Sequence, residues 1–274
     1  MPALDFVKML RPLNCAMAAF GAFIGYSIAS GAIRCGNGIG CAMLVAFIIC
    51  GAGMAINDYF DRDIDKKLHP KKAIPSGRIS PKAALAFSLL LFAGGNTLAF
   101  AFLPAASVVI ALAFTLLLIA YSAFLTRAKY LGNFVVASGT AFTLVFGASL
   151  LGNYPVVAAL ALAALFANLA RELIKDMEDL EADRGFKKSL PMLLSKGRVE
   201  AMVFTCYLLA ITLVYVPVVL LSFGKPLFVI VVSIANLVFL YSFGKTLKHD
   251  YARAQVLAKG AMFIALLGFL LGVV

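Results

Sequence analysis

Charge is scarce in this sequence. Only 14% of the 274 residues are charged, 63% are hydrophobic, and the mean hydropathy is +0.98. That balance excludes an ordinary water-soluble core and describes a chain solvated by lipid. No separate soluble domain or long polar tail is expected, so residues 1–274 read as a single transmembrane domain. No cleavable leader stands out either: Lys8 and Arg11 precede an apolar stretch of span length that lacks a clear cleavage site. Soft metal ligands are also thin. There are two histidines, and Cys15, Cys35, Cys41, Cys50 and Cys206 show no metal spacing. Four of these cysteines lie in or beside apolar runs, where a thiol packs as a small hydrophobe.

Acidic residues are the rarest charge, 13 against 24 Lys and Arg, for a net charge of +11. Such an excess often signals a nucleic-acid partner. Here the basic residues fall between apolar runs, so membrane topology and anionic headgroups explain them better, and no nucleic acid is expected.

A helix needs about 20 apolar residues to cross a bilayer. Nine such runs are present, at about 13–33, 39–58, 82–103, 105–125, 132–152, 155–173, 200–221, 227–243 and 255–273. Pro104 divides a stretch too long for one crossing. The runs are continuously apolar rather than alternating, which argues against a β-barrel. With the N-terminus in the cytoplasm, all but two of the 24 basic residues fall on the inner side; Arg34 and Lys225 are the two outside. Span count and orientation thus support each other through the positive-inside rule. All 13 acidic residues fall on the same side or at inner helix ends. The expected architecture is an all-α membrane protein of nine transmembrane helices. Its two long cytoplasmic loops, 60–81 and 174–199, would cover a central cavity.

Each long loop opens on an acidic cluster. Residues 57–65 read NDYFDRDID, and residues 175–183 read KDMEDLEAD. Asp58, Asp61 and Asp65 have offsets of 0, 3 and 7; Asp176, Asp179 and Asp183 repeat them. On a helix those offsets fall within an arc of about 60°. Carboxylates so placed repel one another, and apolar surroundings raise their energy further. Divalent cations relieve both penalties. An all-oxygen donor set suits Mg²⁺, which shares its shell with water and substrate phosphates. Two facing clusters would hold a pyrophosphate through metal bridges. One such cluster alone reads as well as a solvated, ion-paired helix end; two with matched spacing on one face favour a site. Turn residues Pro70, Pro75 and Gly77 carry Lys72 and Arg78 in a constrained loop, and Arg127, Lys129 and Lys175 lie near the same face, a set suited to phosphate.

NDYFDRDID resembles the NDxxDxxxD motif of the UbiA-type intramembrane prenyltransferases, and KDMEDLEAD is similar to their second, DxxDxxxD, motif. The stretches LRPLNCAMA (10–18), IPSGRIS (74–80), LGNFVVAS (131–138) and ARELIKDMEDLEAD (170–183) resemble the branch that builds archaeal ether lipids. Lys72-Ala73 departs from an Arg-Pro common in that branch, so a point charge replaces a bidentate donor. Thr126 stands where a lysine is common.

The resemblance implies a Mg²⁺-dependent membrane prenyltransferase, with two ions in its site. The donor would be geranylgeranyl diphosphate and the acceptor geranylgeranylglyceryl phosphate, alkylated on its sn-2 hydroxyl. Asn57, Asp61, Asp176 and Asp183 would be the direct metal ligands, with Asp58, Asp65 and Asp179 completing the catalytic set. Arg62, Lys72, Arg78, Arg127 and Lys175 would neutralise phosphate charge. Asn14, Tyr59 and Tyr121 would line the cavity, the tyrosines offering π faces to an allylic cation. Asp65 is one choice for the proton acceptor.

Three other readings compete. A prenyltransferase of the same fold could take an aromatic quinone precursor such as 4-hydroxybenzoate. A cation transporter would place its ionisable groups near the bilayer midplane rather than at one face. An alcohol phosphatidyltransferase would continue D-G-x-x-A-R, whereas Asp61 is followed by Arg62 and Asp63.

Overall fold

The computed structural model describes residues 2–33, 35–36, 38–125, 129–185 and 188–274. Its regular elements are helices. In chain order they are α1 (Pro2–Met9), α2 (Pro12–Ser30), α3 (Ile39–Phe60), α4 (Arg62–Leu68), α5 (Pro81–Phe102) and α6 (Ala105–Ala120). There follow α7 (Lys129–Ala148), α8 (Pro155–Glu178), α9 (Leu180–Asp183), α10 (Leu190–Leu193), α11 (Lys196–Leu221), α12 (Pro226–Leu247) and α13 (Tyr251–Leu271). A π-helical turn, Tyr121–Leu125, extends α6. Among the described residues nine helices are long and apolar enough to cross a membrane, and they match the nine runs read from the sequence. The protein is a multi-pass membrane protein.

Proline and serine set several boundaries. Pro12, Pro81, Pro155 and Pro226 each open a span, where the missing N–H is not needed by the ladder. Ser80 caps α5 by accepting from the Ala83 N–H at 3.2 Å. Leu90, Phe100, Leu116, Phe124 and Val219 stay exposed, as lipid-facing side chains do. Burial differs sharply between spans: 17% of the most apolar window of Ala105–Leu125 is buried, against 67% in α8. α8 is therefore a central element, packed by α7, α11 and α13.

Small residues let the backbones approach. A Cβ on Gly25 would collide with the Leu144 carbonyl, and one on Gly147 with the Ala22 carbonyl, so α2 and α7 touch backbone to backbone. Polar side chains tie further pairs: Asn96 donates to Thr115 Oγ1 at 2.9 Å, and Ser107 and Ser149 share a hydrogen bond of 2.7 Å. Successive spans run antiparallel. The C-terminal ends of α3 and α8, the second and sixth spans, therefore lie at one end of the bundle. α7 packs against both helices.

Residues 2–9, treated in the sequence only as an inner segment, form a helix against the loop after α4. Phe6 meets Phe87 with ring centroids 4.8 Å apart, and Met9, Ile74, Ile79 and Ala84 bury one another. The loop is built to hold its shape. Gly77 takes φ 76°, a left-handed value that glycine adopts without strain, and the Ile79 N–H returns to the Ala73 carbonyl at 3.1 Å.

Candidate functional site

Both aspartate motifs end a span in the same way. α3 stops at Phe60, Asp61 takes φ −81° and ψ 1°, and α4 begins at Arg62. α8 stops at Glu178, Asp179 takes φ −81° and ψ 2°, and α9 begins at Leu180. The ladder crosses each joint: Asp61 N–H to Asn57 O at 2.9 Å and Asp65 N–H to Asp61 O at 2.8 Å, then Asp179 N–H to Lys175 O and Asp183 N–H to Asp179 O, both 2.9 Å. The middle aspartate of each triad is thus a one-residue kink in the sparsely populated region near ψ 0°. Helical phase is kept, so each triad retains one stripe. Asp58, Asp61, Asp65, Asp176 and Asp183 are buried, and Asp179 is half-buried. Asp63, off the stripe, is 72% exposed and pairs with Arg62 and Lys66.

The first stripe is held by two cations. Lys72 Nζ bridges Asp58 Oδ1 at 3.1 Å and Asp65 Oδ2 at 2.7 Å. Arg11 Nη2 reaches the same Asp58 oxygen at 3.0 Å. Asp61 accepts from Asn57 Nδ2 at 3.2 Å. Asn57 Oδ1 is buried and has no hydrogen-bond partner among the described residues. That orphaned carbonyl and the surrounding carboxylates fit a hard divalent ion. Among the described residues no three of Asp, Glu, His and Cys gather closely enough to cage an ion by themselves. An ion here would need water or substrate oxygens to fill its shell, which is how Mg²⁺ is commonly held.

On the second stripe, Asn133 of α7 donates to Asp176 Oδ2 at 2.7 Å, with both side chains buried. Gly132 beside it admits the Tyr121 ring: an added Cβ would lie 2.8 Å from Tyr121 Cε2. The π-helical turn thereby packs the Tyr121 ring against the first turn of α7.

The remaining expected residues divide. Arg62 donates to the Tyr59 carbonyl at 3.0 Å and sits 4.8 Å from the Tyr59 ring centroid. A resident cation therefore covers a face of Tyr59, and the other tyrosine, Tyr121, packs against Gly132 of α7. Arg78 pairs with Asp5 at 3.0 Å and donates to the Lys71 carbonyl at 2.9 Å, which fastens the loop to α1. Asn14 is exposed on the first turn of α2. Lys175 lies on α8 on a face adjacent to the acidic stripe. Arg127 lies outside the described residues.

Arg11 and Asn133 were not singled out in the sequence. They stand 47 and 43 positions from their aspartates, so no local spacing joins them. Their signal was membership of the stretches LRPLNCAMA and LGNFVVAS. Arg11 also has φ 52° and ψ 67°. A left-handed non-glycine residue costs on the order of 1–3 kcal/mol, a strain that collects at functional sites.

A nine-span bundle with two aspartate-kinked helix ends at one mouth defines a polytopic membrane protein whose site suits anionic, metal-dependent chemistry. A model of the UbiA prenyltransferase family matches residues 18–267, and the chain belongs to that family. It is 34% identical over 273 residues to a digeranylgeranylglyceryl phosphate synthase of Methanothrix thermoacetophila, covering 98% of this chain and 99% of that protein. A solved structure of a digeranylgeranylglyceryl phosphate synthase is similar with a TM-score of 0.85 at 29% identity, over 99% of this chain and 98% of that one. The fold also resembles a UbiA homologue from Archaeoglobus fulgidus bound to DMAPP and Mg²⁺, with a TM-score of 0.68, 16% identity and coverage of 97% and 99%.

Proposed function

We propose that this membrane prenyltransferase transfers a geranylgeranyl group from geranylgeranyl diphosphate to the sn-2 hydroxyl of geranylgeranylglyceryl phosphate. The reaction breaks the C1–O bond of the donor, and the electron pair leaves with the diphosphate. The sn-2 oxygen bonds to C1 and releases its proton. The acceptor is inferred from full-length likeness to proteins that carry that synthase name. The transfer chemistry is carried by one observation, the aspartate kink repeated at Asp61 and Asp179.

Asn57, Asp61, Asp176 and Asp183 would hold Mg²⁺, and Asp58, Asp65 and Asp179 would complete the set. When bound, the metal neutralises charge developing on the departing diphosphate. Lys72 aims Asp58 and Asp65 through its two ion pairs, and Arg11 aims Asp58; on binding, both cations are placed to turn towards phosphate oxygens. Arg62 and Arg127 would add positive charge around them. Arg78 acts earlier in the chain of causes, by fastening the loop that carries Lys72. The π face of Tyr121 would stabilise the allylic cation, and the loop with α1 would exclude bulk water that could capture it. The site end faces the cytoplasm, where the basic residues concentrate.

Purified protein given Mg²⁺ and labelled geranylgeranyl diphosphate should convert geranylgeranylglyceryl phosphate to the diether, read by mass spectrometry. Transfer to 4-hydroxybenzoate with none to the glycerol ether would overturn the acceptor. Full activity in EDTA would overturn the metal.

A further inference from the structure

The two aspartate motifs match around their kinks and differ two turns deeper. Seven residues before the kink at Asp61 stands Met54; seven before the kink at Asp179 stands Glu172. At 100° per residue, Glu172 falls inside the arc of about 60° that already holds Asp176, Asp179 and Asp183. It therefore shares their stripe, about 6 Å along α8 from Asp176 towards the middle of the span. Its neighbours on that line are buried and polar. Asn168, four residues before it, donates to Thr140 Oγ1 of α7 at 3.3 Å. Asp176, four residues after it, accepts from Asn133 of α7 at 2.7 Å.

Glu172 is only 4% exposed. Of the acidic residues within spans it lies furthest from the mouth, seven residues before its kink, against three for Asp58 and four for Glu200 from the start of α11. A carboxylate at such a place is unfavourable and marks a functional group. Among the described residues its ion pair is with Arg171, its chain neighbour. Adjacent positions face different sides of a helix, so the guanidinium reaches sideways to Glu172 Oε1, and the pair joins α8 to no other helix. Oε2 takes no hydrogen bond among the described residues. Met54 shows that the kink forms without a carboxylate in this register.

A diphosphate held between the two stripes sits at the polar mouth, and its prenyl chain runs the other way, into the apolar bundle. C1 is then on the interior side of the diphosphate, as is the acceptor atom that attacks it. A group that takes the acceptor's proton has to stand on that side too. Asp65 does not: it lies four residues beyond the kink, towards the loop, and Lys72 occupies its Oδ2 at 2.7 Å. Asp58 Oδ1 already takes both Arg11 and Lys72.

We propose that Glu172 is a catalytic residue, the proton acceptor for the attacking substrate. The inference rests on the transfer reaction above. The sn-2 oxygen bonds to C1, the C1–O bond breaks with its electron pair going to diphosphate, and the hydroxyl proton passes to Glu172 Oε2. Arg171 holds the other oxygen and keeps the carboxylate aimed.

The test is product partition. Wild type, Glu172→Gln and Asp61→Asn each receive Mg²⁺, labelled geranylgeranyl diphosphate and saturating geranylgeranylglyceryl phosphate, and the diether is separated from geranylgeraniol. Glu172→Gln should form diether about 10²-fold more slowly or worse while still releasing geranylgeraniol, because the leaving-group step is intact and water captures the cation. Asp61→Asn should lose both products. Diether formation at the wild-type rate in Glu172→Gln, or equal loss of diether and geranylgeraniol, would overturn the assignment. Should Glu172→Gln not fold, Glu172→Asp keeps the charge and withdraws it by one methylene. Its diether rate should fall about tenfold or more with geranylgeraniol retained, and an unchanged partition there overturns the proposal. A wild type that prenylates only 4-hydroxybenzoate defeats the acceptor reading and leaves this one to be decided by the same variants, since ring alkylation also releases a proton. They must then lose transfer and keep hydrolysis, or Glu172 is not the proton acceptor.

Discussion

At the scale of single residues, the site is a balance of buried charge. Asp61 and Asp183 are buried, and Asp61 abuts the orphaned Asn57 carbonyl. Asp61→Asn and Asp183→Asn keep shape but remove ligand charge, so each should lower turnover by roughly 10²-fold or more with the fold intact. Product formation beside a thermal melt checks this, and an active variant would contradict the ligand assignment. Lys72 neutralises two carboxylates at once. Lys72→Met leaves Asp58 with Arg11 alone and Asp65 without that ion pair. It should destabilise by about 1–3 kcal/mol, seen as a lower melting temperature, whereas Lys72→Arg should restore most of the loss. The aspartates themselves were legible because their spacing is local. Arg11 and Asn133 were not, because they reach the stripes from other helices.

At the scale of elements, helix contact and loop closure decide. Gly25 and Gly147 let α2 meet α7, whose N-terminal end carries Asn133. Gly25→Ala or Gly147→Ala should cost about 1–3 kcal/mol through overpacking. Gly94→Ala, on a helix face with nothing within 4 Å, should be neutral or better, since glycine is unfavourable by about 1 kcal/mol inside a helix. Melts in detergent of the three variants give the order directly. The loop after α4 is fastened by Arg78 to Asp5. Asp5→Ala and Arg78→Ala should each increase hydrolysis of the donor relative to transfer, because water enters a looser cover. Equal partition in wild type and variants would show that α1 plays no part in sealing. The span count was readable from apolar length, while α1 was not, since eight residues are far too short to cross a bilayer.

At the scale of the whole molecule, charge asymmetry predicts the orientation of the bundle. Single cysteines introduced by Lys66→Cys and Lys225→Cys, in a chain with its native cysteines replaced, should label from opposite sides of intact cells. Lys225→Cys is the one expected to react with an impermeant reagent from outside. Labelling of both from one face would reverse the topology. The centre of the bundle is α8, because it is the most buried of the described spans and ends in the second aspartate motif.

The amino-acid order alone determined the class, the nine crossings and the two aspartate stripes. Each of these depends on composition or on spacing within one helix, where 1.5 Å of rise and 100° of turn per residue fix what shares a face. Only the tertiary structure decided which cation meets which carboxylate. It set Lys72 between Asp58 and Asp65, drew Arg11 and Asn133 in from distant segments, and fastened Arg78 to α1. Those pairings follow from how the helices pack, and packing depends on contacts between segments that local periodicity does not encode.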